Sequence, residues 1–288
     1  MSLLDVILLS VVQGLAELLP VSSSAHVVVA EKLMGLDPSS PPMTLLLVML
    51  HTGTMFAVIV YFWRRWRKSF FQNAKTFRRF AWLTLAATIL TGVVGGSLIK
   101  IIEGTARHIA PHGEIEDLFG RLELIAPALA AAGILILISG LAEKRKLEAP
   151  TNAGDLNIKK AGMIGIVQGL CLPFRGFSRS GATISTALLA GVSKSLAEDF
   201  SFALAVVLTP PVVIREVIRL VRAERISGIT NLASAMMPSL LGAICAFFAG
   251  LLALKWLSGW LEAGRWYLFG IYCLAAAAVV AALHLGGY

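Results

Sequence analysis

The chain has 288 residues, 57% of them hydrophobic and 15% charged, with a mean hydropathy of +0.79. Soluble domains run at about 45–50% apolar and about 25% charged, so this composition excludes an ordinary soluble globule and specifies a membrane protein. The formal charge of +8 does not call for nucleic acid as a partner. Lys and Arg cluster in short loops between apolar runs, as in cytoplasmic loops of membrane proteins, and a membrane surface or an anionic substrate accounts for them.

In chain order, residues 3–19 form an apolar stretch that stops at Pro20; Val21-Ser22-Ser23-Ser24 follow, then a second apolar stretch from Ala25 to Met34. Each half is shorter than the about 20 residues that span a bilayer, so residues 3–34 are predicted to form a broken, re-entrant helix hairpin. Such backbone is tolerated at membrane depth only when buried in protein or lining a cavity. Full spans are predicted over 42–63, 80–102 and 122–141. Residues 161–192 repeat the opening pattern, with a break around Pro173–Ser180, and three more spans follow over 197–219, 233–257 and 266–286. Pro210-Pro211 should kink the first of these. No Lys or Arg precedes Lys32, so no cleaved signal peptide is expected. Cys171, Cys245 and Cys273 lie in apolar runs without metal-ligand spacing, and neither a zinc site nor a disulfide framework is expected.

The repeat is visible in the letters. Val12-Gln13-Gly14-Leu15 matches Val167-Gln168-Gly169-Leu170, and Ser22-Ser23-Ser24-Ala25 matches Ser178-Arg179-Ser180-Gly181, at offsets of 155 and 156. The expected fold is therefore an all-α polytopic membrane protein in a single domain, with repeats over 1–142 and 158–288, each one re-entrant hairpin plus three spans. Three spans is an odd number, so the second repeat enters the membrane inverted, and inverted repeats place their shared site near the midplane, at facing broken helices. The basic loops 64–79 and 143–160 are assigned to the cytoplasm and the acidic loop 103–121 to the outside. Arg215, Arg219, Arg222 and Arg225 run against this assignment, being only half offset by Glu216 and Glu224.

The chemistry concentrates at the two breaks. Glu17 lies in an apolar run, and a carboxylate at membrane depth is a functional candidate by default; Gln13, four residues earlier, shares its helix face, where a helix–helix hydrogen bond is an equally good reading. Ser22, Ser23 and Ser24 include an expected helix N-cap, and a helix N-terminus also receives anions. His26 follows one turn later, on a face expected to look back toward Glu17. In the second break, Gly176-Phe177-Ser178-Arg179-Ser180-Gly181 is a small-residue loop. Gly176 and Gly181 permit close backbone approach, Ser178 and Ser180 offer hydroxyls, and Arg179 can grip phosphate oxygens with a bidentate fork; Arg175 is a second cation there. Ser, His and Glu facing an Arg-bearing anion cradle suit phosphoryl transfer, with a Ser hydroxyl activated by His26 or Glu17 and a lipid-anchored phosphate as substrate.

At these residues the sequence resembles the undecaprenyl-pyrophosphate phosphatase family, the bacitracin-resistance proteins. The resemblance covers nearly the whole chain and is strongest over Gln13–His26 and Gly176–Ser185. It implies hydrolysis of undecaprenyl pyrophosphate to undecaprenyl phosphate in the bacterial inner membrane, with a divalent cation, Mg²⁺ or Ca²⁺, and a site opening to the periplasmic face. By motif position it makes Gln13 and Glu17 the metal-binding pair, Ser22 and Ser23 the loop serines, His26 the essential histidine and Arg179 the phosphate-binding arginine. Ser23 is the favoured nucleophile and His26 the alternative. Two departures stand out: Gln13 occupies a position that is Glu in many members, and Phe174-Arg175 intervene between Pro173 and Gly176. A transporter or flippase of a polyprenyl phosphate is the competing function, since inverted repeats with broken helices are a transporter architecture. The type 2 phosphatidic-acid phosphatase pattern is excluded: it needs a His six residues after Ser-Arg, and no His follows Ser178-Arg179 before His284. The sequence does not fix the oligomeric state and leaves a homodimer open.

Overall fold

A computed structural model describes residues 2–36, 41–106, 118, 120–148, 155–227 and 232–287. The structured elements among them are helices: α1 (Leu3–Leu18), α2 (Ser23–Leu33), α3 (Pro41–Ser69), α4 (Ala74–Ala106), α5 (Leu122–Glu148), α6 (Ile158–Cys171), α7 (Arg179–Leu189), α8 (Lys194–Ser227), α9 (Leu232–Glu262) and α10 (Tyr267–Leu285). Six of them, α3, α4, α5, α8, α9 and α10, are long and apolar enough to cross a membrane. The other four are 16, 11, 14 and 11 residues long. At about 1.5 Å per residue even α1 falls short of a bilayer core of about 30 Å. Their breaks lie at Leu19–Ser22 and Leu172–Ser178, as the two serine-bearing interruptions predict. Helix α8 continues through Pro210 and Pro211. Most of the acidic loop, including Arg107, Glu114, Glu116 and Asp117, lies outside the described residues, as do the side chains of Lys146, Glu216, Arg219, Arg222, Glu224 and Arg225.

Local signals explain where the short helices begin and stop. Ser2 and Asp5 form a reciprocal capping box at the start of α1, Asn157 caps α6 through the Lys160 amide, and Ser178 caps α7 through the Gly181 amide. Gly191 ends α7 at φ +74°, a left-handed conformation that costs a glycine nothing sterically.

The elements pack as α3 on α9, α5 on α10, α4 on α6, α1 on α9 and α3 on α8. Phe62, Phe200, Phe202, Leu129, Ile136, Ile164 and Trp266 are fully buried between them. The outer face carries Trp82, Ile89, Val93, Phe248, Leu252 and Val279, all exposed, the arrangement expected where the solvent is lipid. Small residues permit the closest helix contacts, as membrane interfaces require. A Cβ on Gly14 would sit 2.7 Å from the Ala246 carbonyl oxygen, and one on Gly169 would sit 2.9 Å from that of Thr91.

One end of the bundle is fixed by ions. Arg65 on α3 reaches α8, where Nη1 donates to Glu198 Oε2 at 2.8 Å, Nε lies 3.0 Å from Asp199 Oδ1, and Nη2 donates to the Ser195 carbonyl at 3.0 Å. Ser258 on α9 donates to the other oxygen of Glu198. Both carboxylates are only about 2–3% exposed. The same end holds Arg79, whose Nη2 donates to the Leu156 carbonyl at 2.8 Å. Arg79 and Leu156, from the ranges 64–79 and 143–160, therefore meet at this end of the bundle.

Two buried carboxylates depend on one guanidinium, so Arg65→Met should leave them uncompensated. Breaking a buried pair costs about 3–5 kcal/mol, less here because the Arg65 side chain is 31% exposed. The expected outcome is a thermal midpoint in detergent lowered by several degrees, with partial recovery in the Arg65→Met, Glu198→Gln double variant.

Candidate active site

The two breaks meet. Glu17, on the last turn of α1, is the centre: its Oε2 accepts from Ser23 Oγ at 2.5 Å and from Gln13 Nε2 at 3.1 Å, and its Oε1 accepts from Arg179 Nη2 at 3.1 Å. Arg179 is 162 residues away in sequence and is the first residue of α7. Glu17 and Arg179 keep 16% and 23% of their side chains exposed, so the group is sheltered but reachable. A second link joins the hairpins, with Ser180 Oγ donating to the Leu19 carbonyl at 3.3 Å.

The serine turn is held in a costly conformation. Ser22 has φ +67°, the one positive φ among the described non-glycine residues. Such a residue costs about 1–3 kcal/mol and persists only where its surroundings over-determine it. Ser22 stands at the N-cap of α2 but its side chain makes no capping bond; its hydroxyl lies 3.3 Å from that of Ser24. The opening amides of α2 are therefore not capped by it. In the second loop the equivalent capping does occur, with Ser178 Oγ accepting from Gly181 N at 3.2 Å. Gly176 has φ +107° and lies so close to α5 that a Cβ would be 2.5 Å from the Ile125 carbonyl oxygen. A Cβ on Gly181 would lie 2.6 Å from the end of the Ile136 side chain, also on α5. The glycines fit the loop against α5.

One placement differs from the sequence reading and two others add to it. His26 does not turn toward Glu17. Its Nδ1 is 2.8 Å from the Ser22 carbonyl and its Nε2 is 2.7 Å from the hydroxyl of Tyr272 on α10, because the ring stacks on Tyr272. The inserted Arg175 is within electrostatic reach of Glu31, a buried carboxylate eight residues beyond Ser23 on α2. The third is a residue that sequence reasoning missed. His51 on α3 brings its Nε2 to 3.8 Å from Glu17 Oε2, while its Nδ1 is 2.8 Å from the Leu47 carbonyl. With Thr54, Met55, Val58, Ala205 and Thr209 it walls a small recess that opens on Glu17 and Arg179. The signal was available: an ionisable residue within a predicted span is a functional candidate. Tyr272 gave no such signal, being an aromatic in an apolar helix whose partner lies 246 residues away.

Among the described residues no three His, Cys, Asp or Glu side chains are grouped to hold a metal ion. The oxygen donors at the centre are the Glu17 carboxylate, the Gln13 amide and the Ser23 hydroxyl, a set suited to a hard cation that takes its remaining ligands from water and substrate.

The bacitracin resistance protein BacA family matches residues 6–279. Undecaprenyl-diphosphatase 2 of Acinetobacter baylyi is 57% identical over 98% of each chain. Undecaprenyl-diphosphatases of Syntrophotalea carbinolica and Lachnoclostridium phytofermentans are 35% identical over 95% of each chain and 30% identical over 98% of this chain and 97% of theirs. With a match over nearly its whole length, the chain belongs to the bacitracin resistance protein BacA family.

Proposed function

We propose that the chain is an undecaprenyl-diphosphatase, hydrolysing undecaprenyl pyrophosphate to undecaprenyl phosphate and inorganic phosphate and so recycling the carrier lipid for cell-wall synthesis. The observation that carries the reading is a single carboxylate, Glu17, that binds a serine hydroxyl from its own hairpin and a guanidinium from the other. Ser23 is the nucleophile and Glu17 its base. Both ring nitrogens of His26 are already engaged, which favours Ser23 over His26 for that role. Ser23 Oγ attacks the terminal phosphorus, its proton passes to Glu17, and the bond from that phosphorus to the bridging oxygen breaks, releasing undecaprenyl phosphate. Water then cleaves the phosphoserine and the proton leaves with the products. Arg179 spends one N–H on Glu17 and keeps others of its five donors for phosphate oxygens, with Ser178, Ser180 and the amides of α2 and α7 around them. His26 belongs to the machinery through the serine turn that it holds.

Glu17 and Arg179 cancel each other's charge, so a bound pyrophosphate needs further positive charge. A divalent cation, Mg²⁺ or Ca²⁺, would be held by Glu17 and the Gln13 amide oxygen and would supply charge neutralisation on the phosphate oxygens.

The same reading takes residues 3–34 and 161–192 as re-entrant hairpins of two inverted repeats, with the site open to the periplasmic face of the bacterial inner membrane. What supports the repeat is a pair of contacts. Gly14 packs on the Ala246 carbonyl and Gly169 on that of Thr91; the offset of 155 between the glycines is also the offset between their partners. Helix α1 thus rests on α9 as α6 rests on α4.

Purified protein should release phosphate from a prenyl pyrophosphate. Ser23→Ala should reduce turnover by about a thousandfold or more, as loss of a nucleophile does, and Arg179→Ala by about 10²–10³-fold, as loss of a transition-state donor does. Full activity in either variant would refute these roles. Lipid translocation by a wild-type protein that releases no phosphate would replace the enzyme with a transporter.

Removal of divalent cations by chelation should abolish turnover, and Mg²⁺ or Ca²⁺ should restore it. Gln13→Glu adds a second carboxylate and should lower the cation concentration for half-activity by about tenfold, the equivalent of about 1.4 kcal/mol.

A further inference from the structure

We infer that Tyr272 is a positioning residue for this reaction: through His26 it holds the turn that presents Ser23 to Glu17. The inference rests on the hydrolase reading above. A carbonyl oxygen only accepts, so the 2.8 Å contact between His26 Nδ1 and the Ser22 carbonyl places the ring proton on Nδ1. In the neutral imidazole Nε2 is then an acceptor, and the Tyr272 hydroxyl donates to it at 2.7 Å. The phenol and imidazole rings also stack, with centroids 5.7 Å apart and planes at 12°. The Ser22 carbonyl thereby sets the tautomer of His26, and the tyrosine, bonded to the other ring nitrogen, fixes its orientation.

The next residue strengthens the hold. Cys273 is fully buried and donates its thiol to the Pro20 carbonyl at 3.3 Å. Consecutive residues of α10 therefore grip the turn on both sides, at Pro20 before the serines and at His26 after them. Between the two grips lies Ser22, whose left-handed backbone needs such support, and beside it Ser23, whose hydroxyl must stay on Glu17. The charged contacts proposed for pyrophosphate, Arg179 and the cation donors, make no hydrogen bond to Tyr272, and the Nδ1 bond of His26 to the Ser22 carbonyl still supports the start of α2 without the tyrosine hydroxyl. Loss of the Tyr272 hydroxyl should therefore slow the chemical step and leave substrate binding nearly intact.

The test is Tyr272→Phe, which keeps the stacked ring and removes the donor. One neutral hydrogen bond corresponds to a decrease in kcat of up to about tenfold, and KM should stay within about twofold of wild type. The second readout is the ¹⁵N-imidazole spectrum of histidine-labelled protein in lipid nanodiscs, with His26 assigned among the five histidines by comparison with His26→Ala. Both proteins should show the Nδ1–H tautomer, and Tyr272→Phe should shift the Nε2 resonance to that of an acceptor nitrogen without its hydrogen bond. An unchanged Nε2 resonance in Tyr272→Phe overturns the inference whatever the rate, and so does an unchanged kcat. Wild-type protein that releases no phosphate from a prenyl pyrophosphate overturns the hydrolase reading instead, and the spectrum, which needs no substrate, still reports on the His26–Tyr272 link.

Discussion

The hydrogen-bonded ion pair between Glu17 and Arg179 is the contact on which the architecture turns. In the proposed re-entrant arrangement both charges lie at membrane depth, where neither is tolerable alone, and neither has another full charge of opposite sign in hydrogen-bond contact. Each therefore requires the other, and that requirement brings together two hairpins separated by 162 residues. Broken backbone within the bilayer has a similar demand, since amides and carbonyls freed at a break must find partners inside the protein. The Ser180 bond to the Leu19 carbonyl and the Cys273 bond to the Pro20 carbonyl meet part of it. The same contacts that make the breaks tolerable also assemble a hydroxyl, a carboxylate and a guanidinium in one place.

The bundle around the pair divides its work by depth. At one end Arg65 ties α3 to α8 through two buried carboxylates, and Ser258 adds α9. His51 lies fourteen residues away on α3, about 21 Å along the helix at about 1.5 Å per residue, and faces the recess beside Glu17. A rigid α3 thus runs from the ionic latch to the site. Helix α7 is anchored differently, by hydroxyls: Thr183 to Ser201 on α8 at 2.5 Å, and Ser185 to Ser139 on α5 at 2.8 Å and to Trp266 Nε1 at 3.0 Å. These bonds add to the packing of Ile184, Ala187 and Leu188 in the hydrophobic core, and Arg179 at the start of the helix is correspondingly well aimed.

Much of this was legible in the letters. The lengths of the apolar runs distinguish six candidate spans from four short helices, because bilayer thickness is a hard constraint on helix length. Glu17, Ser23 and Arg179 could be singled out because each is polar at a break in an apolar run, and the matching Val-Gln-Gly-Leu and Ser-rich segments place the two breaks in equivalent positions. His26 was found but its direction was misjudged. Helical spacing gives the side of a helix on which a residue sits, and the Tyr272 ring that fixes the imidazole comes from the far end of the chain. The buried Arg65–Glu198–Asp199 group escaped notice because Arg65 sits in a basic run that reads as loop charge, and its two partners lie 133 and 134 residues further on. Pairings between distant segments have no local signature.

The proposed repeat also explains why the site is asymmetric. At the offset of 155 the counterpart of Glu17 is Leu172, and at 156 the counterparts of Ser23 and His26 are Arg179 and Ala182. Two copies of the first hairpin would set two carboxylates against each other at low dielectric, where like charges close together repel strongly. They would also offer nothing positive to a pyrophosphate. Replacing the carboxylate with leucine in one copy and the serine with arginine removes the repulsion and creates an attraction across the same interface. The backbone elements that make the contact, Gly14 against Ala246 and Gly169 against Thr91, are kept in both copies, since they determine how closely the helices approach and not what meets between them. Conserving the packing while exchanging the charges turns a symmetric junction into one with a carboxylate and a hydroxyl on one side and a guanidinium on the other.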